Sequence, residues 1–420
     1  MKIKNTSLQY TTEPIHPLGF KGGTLTELWQ ITAGMETDTS ICAVGEGVQS
    51  PLWSDSSVFS RVGPLRSNEM MYQITAFALK LLEGETVCRP DLLIKEILPE
   101  VMDYAQKVTG ENDLRTTYAL NALTPVDWAL WRLYRESTGD CDLARLAEPV
   151  CGRLSDRQTV LGNIPLISYQ TPEREIRILA EKGRSLFKIK IGSNPDGKND
   201  PEQMLQWDIA RFKQIHEILS GFSTVDTCCG RPAYYLDANG RYDSVERMLR
   251  FLDAADRVGA LDRILLLEEP FPETNLQRAD GIPVPVAGDE SAHSAEDAVM
   301  LIEEYGYSAI ALKPIAKTLS ISLEVLKEAR KRNVMCFCAD LTVNPRMLEM
   351  NKLVAAHLKP ICGMNIGVLE SNGSQNYLNW DGMVASAGLS SETFAQMKNG
   401  KFILDEDYYN RQGCVWDRRK

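Results

Sequence analysis

The stretch Leu186-Phe187-Lys188-Ile189-Lys190 is an apolar run that closes on a charge. Four later runs end the same way. Asp237 follows Ala233-Tyr234-Tyr235-Leu236, Glu268 follows Ile264-Leu265-Leu266-Leu267, and Asp289 follows Val284-Pro285-Val286-Ala287-Gly288. Lys313 closes Ala309-Ile310-Ala311-Leu312. A charge in that place either leaves the core or suffers a large desolvation penalty. Five in series predict consecutive parallel strands of a β/α barrel, whose functional groups gather at the C-terminal strand ends.

Working outward, apolar runs begin near Ile164, Leu186, Ala233, Ile264, Val284, Ser308, Val334 and Met364. Helical stretches separate most of them: Pro172–Lys182, Pro201–Leu219, Ser244–Val258, Ser294–Tyr305, Leu319–Lys331 and Met347–Leu358. This alternation is the signature of a parallel barrel. An open doubly wound sheet competes, but no G-x-G-x-x-G follows the first strand to support its dinucleotide-binding form. Two connections stand apart. The one after Lys190 is long and carries Cys228-Cys229, expected as a surface excursion. The other, Pro270–Pro283, has room for only a short helical turn.

The first 150 residues read as α+β. Thr26–Thr32 and Ser40–Val44 are expected as β segments, and Asn68–Leu82, Pro90–Val108 and Leu114–Ser137 as helices. The run Leu18-Gly19-Phe20-Lys21-Gly22-Gly23 suits either a flap over the barrel mouth or a turn ahead of the first strand. After Ser371 the strand–helix rhythm stops. The expected organisation is a capping domain at 1–150, a barrel at 151–370, and a segment 371–420 that packs back on the cap.

At 420 residues the chain is long enough for two domains. It is 44% hydrophobic and 25% charged, as ordinary globular proteins are. A net charge of −11 argues against nucleic acid and anionic membrane as partners. The opening MKIKNTSLQY lacks an apolar leader core, and no run approaches the roughly 18 residues of a spanning helix. Ten scattered cysteines resemble neither a disulfide framework nor a zinc site, which points to reduced thiols in a cytoplasm.

Strand side chains alternate, so Lys188 and Lys190 are expected to point together into the barrel. A second ammonium nearby is expected to depress the pKa of Lys190 and make it a base near neutral pH. Lys188 would be that neighbour, or a contact for a substrate carboxylate. Lys313, across the barrel, would serve the opposite face of the substrate. Asp237, Glu268 and Asp289 end neighbouring strands about 4.8 Å apart. Their all-oxygen donor set suits Mg²⁺, with Mn²⁺ as an alternative. Such an ion would stabilise an enediolate once a carboxylate substrate loses its α-proton.

Those residues carry a resemblance. Lys188-Ile189-Lys190, Asp237-Ala238-Asn239-Gly240, Glu268-Glu269-Pro270, Asp289-Glu290-Ser291 and Lys313-Pro314 are similar to the ordered motifs of the enolase superfamily. The similarity is to its muconate lactonising enzyme-like branch. Ala129-Leu130-Trp131 resembles that family's capping helix. The resemblance implies a modified (β/α)₈ barrel closed by an α+β capping domain, with specificity supplied by capping loops. It implies Glu268 rather than Glu269, and Asp289 rather than Glu290, as metal ligands, and a homo-oligomer.

The mandelate racemase-like branch uses a histidine on strand seven, and here that strand reads Val334-Met335-Cys336-Phe337-Cys338-Ala339-Asp340. The two-lysine branch is therefore favoured. Two departures stand out. Lys317-Thr318-Leu319-Ser320 replaces the family's Gly-Gly, and strand eight lacks the Asp-x-Asp with which dipeptide epimerases hold an ammonium. Glu370 ends that strand instead. Glu370, Asn239 and Trp53 are the expected substrate contacts. His293 is expected to cap a helix or face solvent, and Cys336 and Cys338 to be buried thiols.

The leading expectation is a racemase or epimerase acting on a small carboxylate. A dehydratase or cycloisomerase would use the same constellation, and a barrel that binds without reacting is the remaining alternative.

Overall fold

The computed structural model describes residues 1–20, 23–194, 197–389, 397–412 and 415–416. The chain begins with a strand that the patterning does not predict. β1 (Ile3–Phe20) and β2 (Gly23–Thr37) form a long antiparallel hairpin, and β3 (Cys42–Gln49) completes the order β1-β2-β3. β1 is largely exposed, so it has no period-two apolar alternation to read. The Leu18–Gly23 run thus joins two strands rather than preceding the first. Lys21 and Gly22 lie outside the described residues.

Four helices follow: α1 (Pro51–Ser54), α2 (Ser56–Leu81), α3 (Pro90–Thr109) and α4 (Thr116–Thr138). α2 starts well before Asn68. Gly63-Pro64 reads as a break, yet Gly63 takes φ +79 and the helix resumes beyond the kink. α4 lies directly on β3, because a Cβ at Gly45 would run into the Pro125 carbonyl. Met35, Ile74, Val101, Tyr118 and Val126 are among the residues that fill the core of this layer. Two one-turn helices, α5 (Leu143–Leu146) and α6 (Glu148–Cys151), lead into the barrel.

The barrel's first strand is split by Pro165, which has no N–H to give a ladder. Its halves are β4 (Val160–Ile164) and β5 (Leu166–Ile167). α7 (Glu173–Glu181) leads to β6 (Leu186–Lys190), and α8 (Pro201–Ser220) to β7 (Ala233–Asp237). α9 (Val245–Asp256) leads to β8 (Ile264–Glu268), and a single 3₁₀ turn at Glu273–Asn275 precedes β9 (Val286–Gly288). α10 (Ala295–Glu303), β10 (Ala309–Leu312), α11 (Leu319–Lys331), β11 (Met335–Cys338), α12 (Pro345–Ala355) and β12 (Gly367–Glu370) complete the alternation. β5 pairs with β6, and β4 with β12, so the ring closes through the split strand.

Alternation places the charges. Leu186, Tyr235, Leu266, Ala287, Ala309 and Ala311 share the barrel interior. Phe187, Ile189, Leu236, Leu267, Ile310 and Leu312 join the core between strands and helices. Lys188, Lys190, Asp237 and Glu268 have the interior parity, and Lys190↔Asp237↔Glu268 are in register across three strands.

The remaining chain forms α13 (Gly373–Asn376), α14 (Trp380–Ser386), β13 (Lys401–Ile403) and α15 (Glu406–Arg411). It touches both layers. Tyr377 pairs with Ile15 of β1, and Arg132 of α4 donates to the Val415 carbonyl. β13 runs antiparallel to β4, beside the seam that Pro165 opens. Among the described residues no helix is long and apolar enough to cross a membrane.

Candidate active site

The C-terminal ends of the strands form one cleft with about 710 Å³ of empty space, its mouth included. Lys188, Lys190, Asp237, Asp289, Lys313 and Glu370 line its floor, and Glu268 lies beneath at 0% exposure. Leu18, Leu25, Leu28 and Trp53 close it from the capping side. The structure thus brings together residues predicted at the ends of six separate strands, and Trp53 with them.

Lys188 is the hub. Its buried ammonium lies 2.7 Å from Glu268 Oε2, 2.9 Å from Asp237 Oδ2 and 3.1 Å from Glu370 Oε2. It also sits 4.8 Å from the centre of the Tyr235 ring. Burial alone would lower its pKa, but Asp237, Glu268 and Glu370 hold it well above the ordinary lysine value. Lys188 is the neighbour expected beside Lys190, and the two share one carboxylate oxygen. Asp237 Oδ2 stands between the two ammoniums, 2.6 Å from Lys190 Nζ. Asn239 Oδ1 accepts the other bond from Lys190, also at 2.6 Å.

Asn239 lines the cleft with its amide already engaged. Its Nδ2 donates to Glu290 Oε1 at 3.0 Å, so its amide links the lysine to a second acid. Glu370 is buried and salt-bridged rather than solvated, and its Oε1 accepts from Asn372 Nδ2 at 2.9 Å. Lys313 makes a buried ion pair with Asp289 and lies 4.4 Å from the centre of the Trp53 ring. Burial lowers the affinity of Lys313 for its proton, and Asp289 and Glu268 more than restore it.

The two glutamates of Glu268-Glu269 divide their work. Glu269 turns away at φ +41 and accepts from Asp289 N, Ser291 N and Ser291 Oγ, which fixes the turn after β9. Glu268 points inward, accepts from Tyr235 Oη, and has one buried oxygen, Oε1, with no hydrogen-bond partner. Burial and the nearby Asp237 push its pKa well up. Asp237 and Asp289 shift down: burial opposes this, but Lys188 and Lys190 beside the first, and Lys313 and Lys317 beside the second, outweigh it.

The donor set suits a divalent cation. Three inward carboxylates on adjacent strand ends, one with an orphaned oxygen, have the hard-oxygen chemistry that Mg²⁺ takes. Among the described residues, however, no three of the His, Cys, Asp and Glu side chains stand as a ready-made cation site. Ammoniums neutralise the acids instead: Lys188, Lys190, Lys313 and Lys317 face Asp237, Glu268, Asp289 and Glu370.

Two residues escaped the sequence reading. Lys317 is buried, 3.2 Å from Asp289 Oδ1 and 2.8 Å from the Asp289 carbonyl oxygen. It lies on no strand, so no terminal-charge pattern marks it. Asp340 lines the cleft after β11, and burial and the Glu370 charge push its pKa up to about 6. It closes the run Val334–Ala339, the same signal that identified the other acids. His293 stays out of the cleft, between Glu273 and Asp297. Cys336 and Cys338 are buried on the outer face of β11. Cys228 and Cys229 are exposed just before β7, at the opposite end of the barrel from the cleft.

Left-handed backbone gathers at this mouth. Asn239 (φ +45), Glu269 (φ +41), Thr318 (φ +66) and Thr342 (φ +56) lie in turns beside the strand ends. Such strain is sustained where surrounding bonds over-determine it.

The sequence pattern of the enolase C-terminal domain-like family matches residues 173–390, just over half the chain. An L-Ala-D/L-Glu epimerase of Thermotoga maritima is 24% identical over 200 residues, which cover 46% of this chain and 51% of that protein. The chain thus spans about half the length of that curated relative. Among solved structures, the N-succinyl Arg/Lys racemase of Bacillus cereus superposes with a TM-score of 0.64 at 16% identity, covering 98% of each chain. The dipeptide epimerase of Enterococcus faecalis, complexed with Mg and the dipeptide L-Leu-L-Tyr, gives 0.62 at 15% identity, covering 97% of this chain and 98% of that one. At such identities the superpositions establish the fold.

Proposed function

Because the chain belongs to the enolase C-terminal domain-like family, we propose that it removes the proton α to the carboxylate of a small acid and returns it, as a racemase or epimerase. The observation that carries this reading is one cleft with Lys190 on the second strand of the ring and Lys313 on the sixth. Four places apart among eight strands is opposite sides, so the two amines can address opposite faces of a substrate between them.

When bound at Asp237, Glu268 and Asp289, a divalent cation such as Mg²⁺ or Mn²⁺ supplies positive charge to the substrate's carboxylate and acidifies its α-proton. The chain's own residues do the rest. Lys190, aimed by Asp237 and Asn239, takes the proton from one face once its amine is neutral. Lys313, kept protonated by Asp289, delivers a proton to the other face. The opposite enantiomer uses the same two groups in exchanged roles. Lys188 holds positive charge on the floor, where the substrate's carboxylate arrives. Leu18, Leu25, Leu28 and Trp53 keep bulk water from supplying the returning proton. The chemistry is assigned to the 151–370 barrel, with 1–150 and 371–420 closing over it.

The Lys313–Asp289 ion pair, buried on both sides, supports one alternative, a lyase or cycloisomerase in which Lys190 alone moves the proton and Lys313 only holds charge. Deuterium incorporation at the α-carbon separates the readings. It is measured in D₂O with Mg²⁺ across acid sugars, acylated amino acids and dipeptides. The proposal expects exchange with inversion, lost on chelation, and in Lys190→Ala lost for the one enantiomer whose α-proton faces Lys190. Exchange or turnover without inversion would support the one-lysine alternative, and exchange of both enantiomers that survives Lys190→Ala would remove that base.

A further inference from the structure

The turn that carries Lys313 is held from the capping layer. Asp127 of α4 is completely buried. Its carboxylate accepts from Leu319 N at 2.7 Å and Ser320 N at 3.2 Å, and from Ser320 Oγ. Trp131, one turn further along α4, donates its Nε1 to Ser320 Oγ at 3.0 Å. Trp128 donates to the Pro314 carbonyl oxygen at 3.4 Å. Three side chains of one helix thus grip both ends of the segment 313–320.

That segment needs a grip. Thr318 sits at φ +66, ψ 151, a conformation that costs a β-branched residue strain and a glycine almost none. This is where the sequence departs from the family's Gly-Gly. Between the gripped ends, Lys313 and Lys317 reach the two oxygens of Asp289, and the Ala316 and Lys317 amides fold back on the Lys313 carbonyl oxygen at 2.9 and 2.7 Å.

We propose that Asp127 is a positioning residue: from the capping layer it locks the strained Lys313–Ser320 turn and so sets the aim of Lys313. The inference rests on the two-lysine reading for its catalytic meaning, while the geometry it predicts stands apart from that reading. The N-terminal layer then shapes one of the two proton-transfer faces and leaves the Lys190 face untouched.

The test is competitive acetylation of the full-length protein with acetic anhydride, with each lysine quantified by mass spectrometry. No substrate is required. In Asp127→Asn the labelling of Lys313 relative to Lys190 should change about threefold or more, as expected for local opening of one segment. Adding Thr318→Gly should return the ratio toward the parent value, because glycine accepts the turn without the clamp. A structural role alone would lower the melting temperature without shifting this ratio. An unchanged ratio in a folded variant overturns the proposal. Should Asp127→Asn not fold, Ser320→Ala removes the shared hydroxyl and carries the same expectation. With an exchanging substrate in hand, Asp127→Asn should slow α-deuteration on the Lys313 face only. Loss on both faces would count against the proposal, and a chain with no exchange at all would refute the catalytic reading while leaving the labelling result intact.

Discussion

Lys188 and Glu268 meet 2.7 Å apart with neither exposed to water, and the second oxygen of Glu268 has no partner. The ammonium here compensates acids that a cation would otherwise compensate. For the three carboxylates to share an ion, Lys188 must release Asp237 and Glu268 and keep Glu370. Removing one member of a buried ion cluster typically costs about 3–5 kcal/mol. Lys188→Ala should therefore melt far below the parent in EDTA and recover most of the loss in millimolar Mg²⁺. Calorimetry with and without the metal checks this, and identical melting in both buffers would argue that no cation binds these acids.

The two faces should separate genetically. Removing a general base usually costs about 10²–10⁴ in rate. Lys190→Ala and Lys313→Ala should each lose exchange of opposite enantiomers by that order, which chiral chromatography after incubation in D₂O would show. Loss of the same enantiomer in both variants would place the two lysines on one face.

Trp53 should act through binding. Its ring stands 4.4 Å from the Lys313 ammonium and walls the cleft. A partly desolvated cation–π contact is worth about 0.5–2 kcal/mol. Trp53→Ala should raise KM more than it lowers kcat in steady-state kinetics. A fall in kcat alone would show that the ring sets the orientation of Lys313 rather than the fit of substrate.

Stability should fall as pH rises through neutrality. Burial lifts Asp127 from 3.8 to about 7, against the opposing bonds from Ser320 and Leu319. Burial likewise lifts Asp208 to about 6, against bonds from Gly192 and Ser193. In both, the folded state binds the proton more tightly than the unfolded chain. Their contribution is complete below the unfolded value and is lost as pH passes the folded one. For an acid held near 7 that loss is on the order of 4 kcal/mol. Asp127→Asn should flatten the stability profile between pH 4 and 8 in urea titrations. A slope equal to the parent's would place this carboxyl near its ordinary value.

The barrel was legible because each strand is buried on both faces and reads as an unbroken apolar run, so a charge at its end is conspicuous. That rule reached Lys190, Asp237, Glu268, Asp289 and Lys313; Glu370 came from the family resemblance, and applied evenly the rule would have reached it and Asp340 too. It does not reach Lys317, whose partners are Asp289 and carbonyl oxygens at β9 and β10, or Asp127, which meets the start of α11 only through the packing of α4 on that helix. β1 stayed hidden for the opposite reason, since a ribbon exposed on both faces carries no hydrophobic rhythm. Gly63-Pro64 reads as a helix end because sequence alone does not distinguish a kink from a stop.

The strand β13 gives the molecule an order of assembly. Lys401, Phe402 and Ile403 pair with Gly162, Leu161 and Val160, strands separated by almost the entire ring. A nascent chain has all eight staves in hand while the edge of β4 below Pro165 is still bare, and β13, which follows every one of them in sequence, seals it. Pairings so distant in sequence form slowly, and an open edge invites wrong partners. The interval between synthesis of β12 and of β13 is then where the growing chain is exposed to aggregation, and where a chaperone would matter.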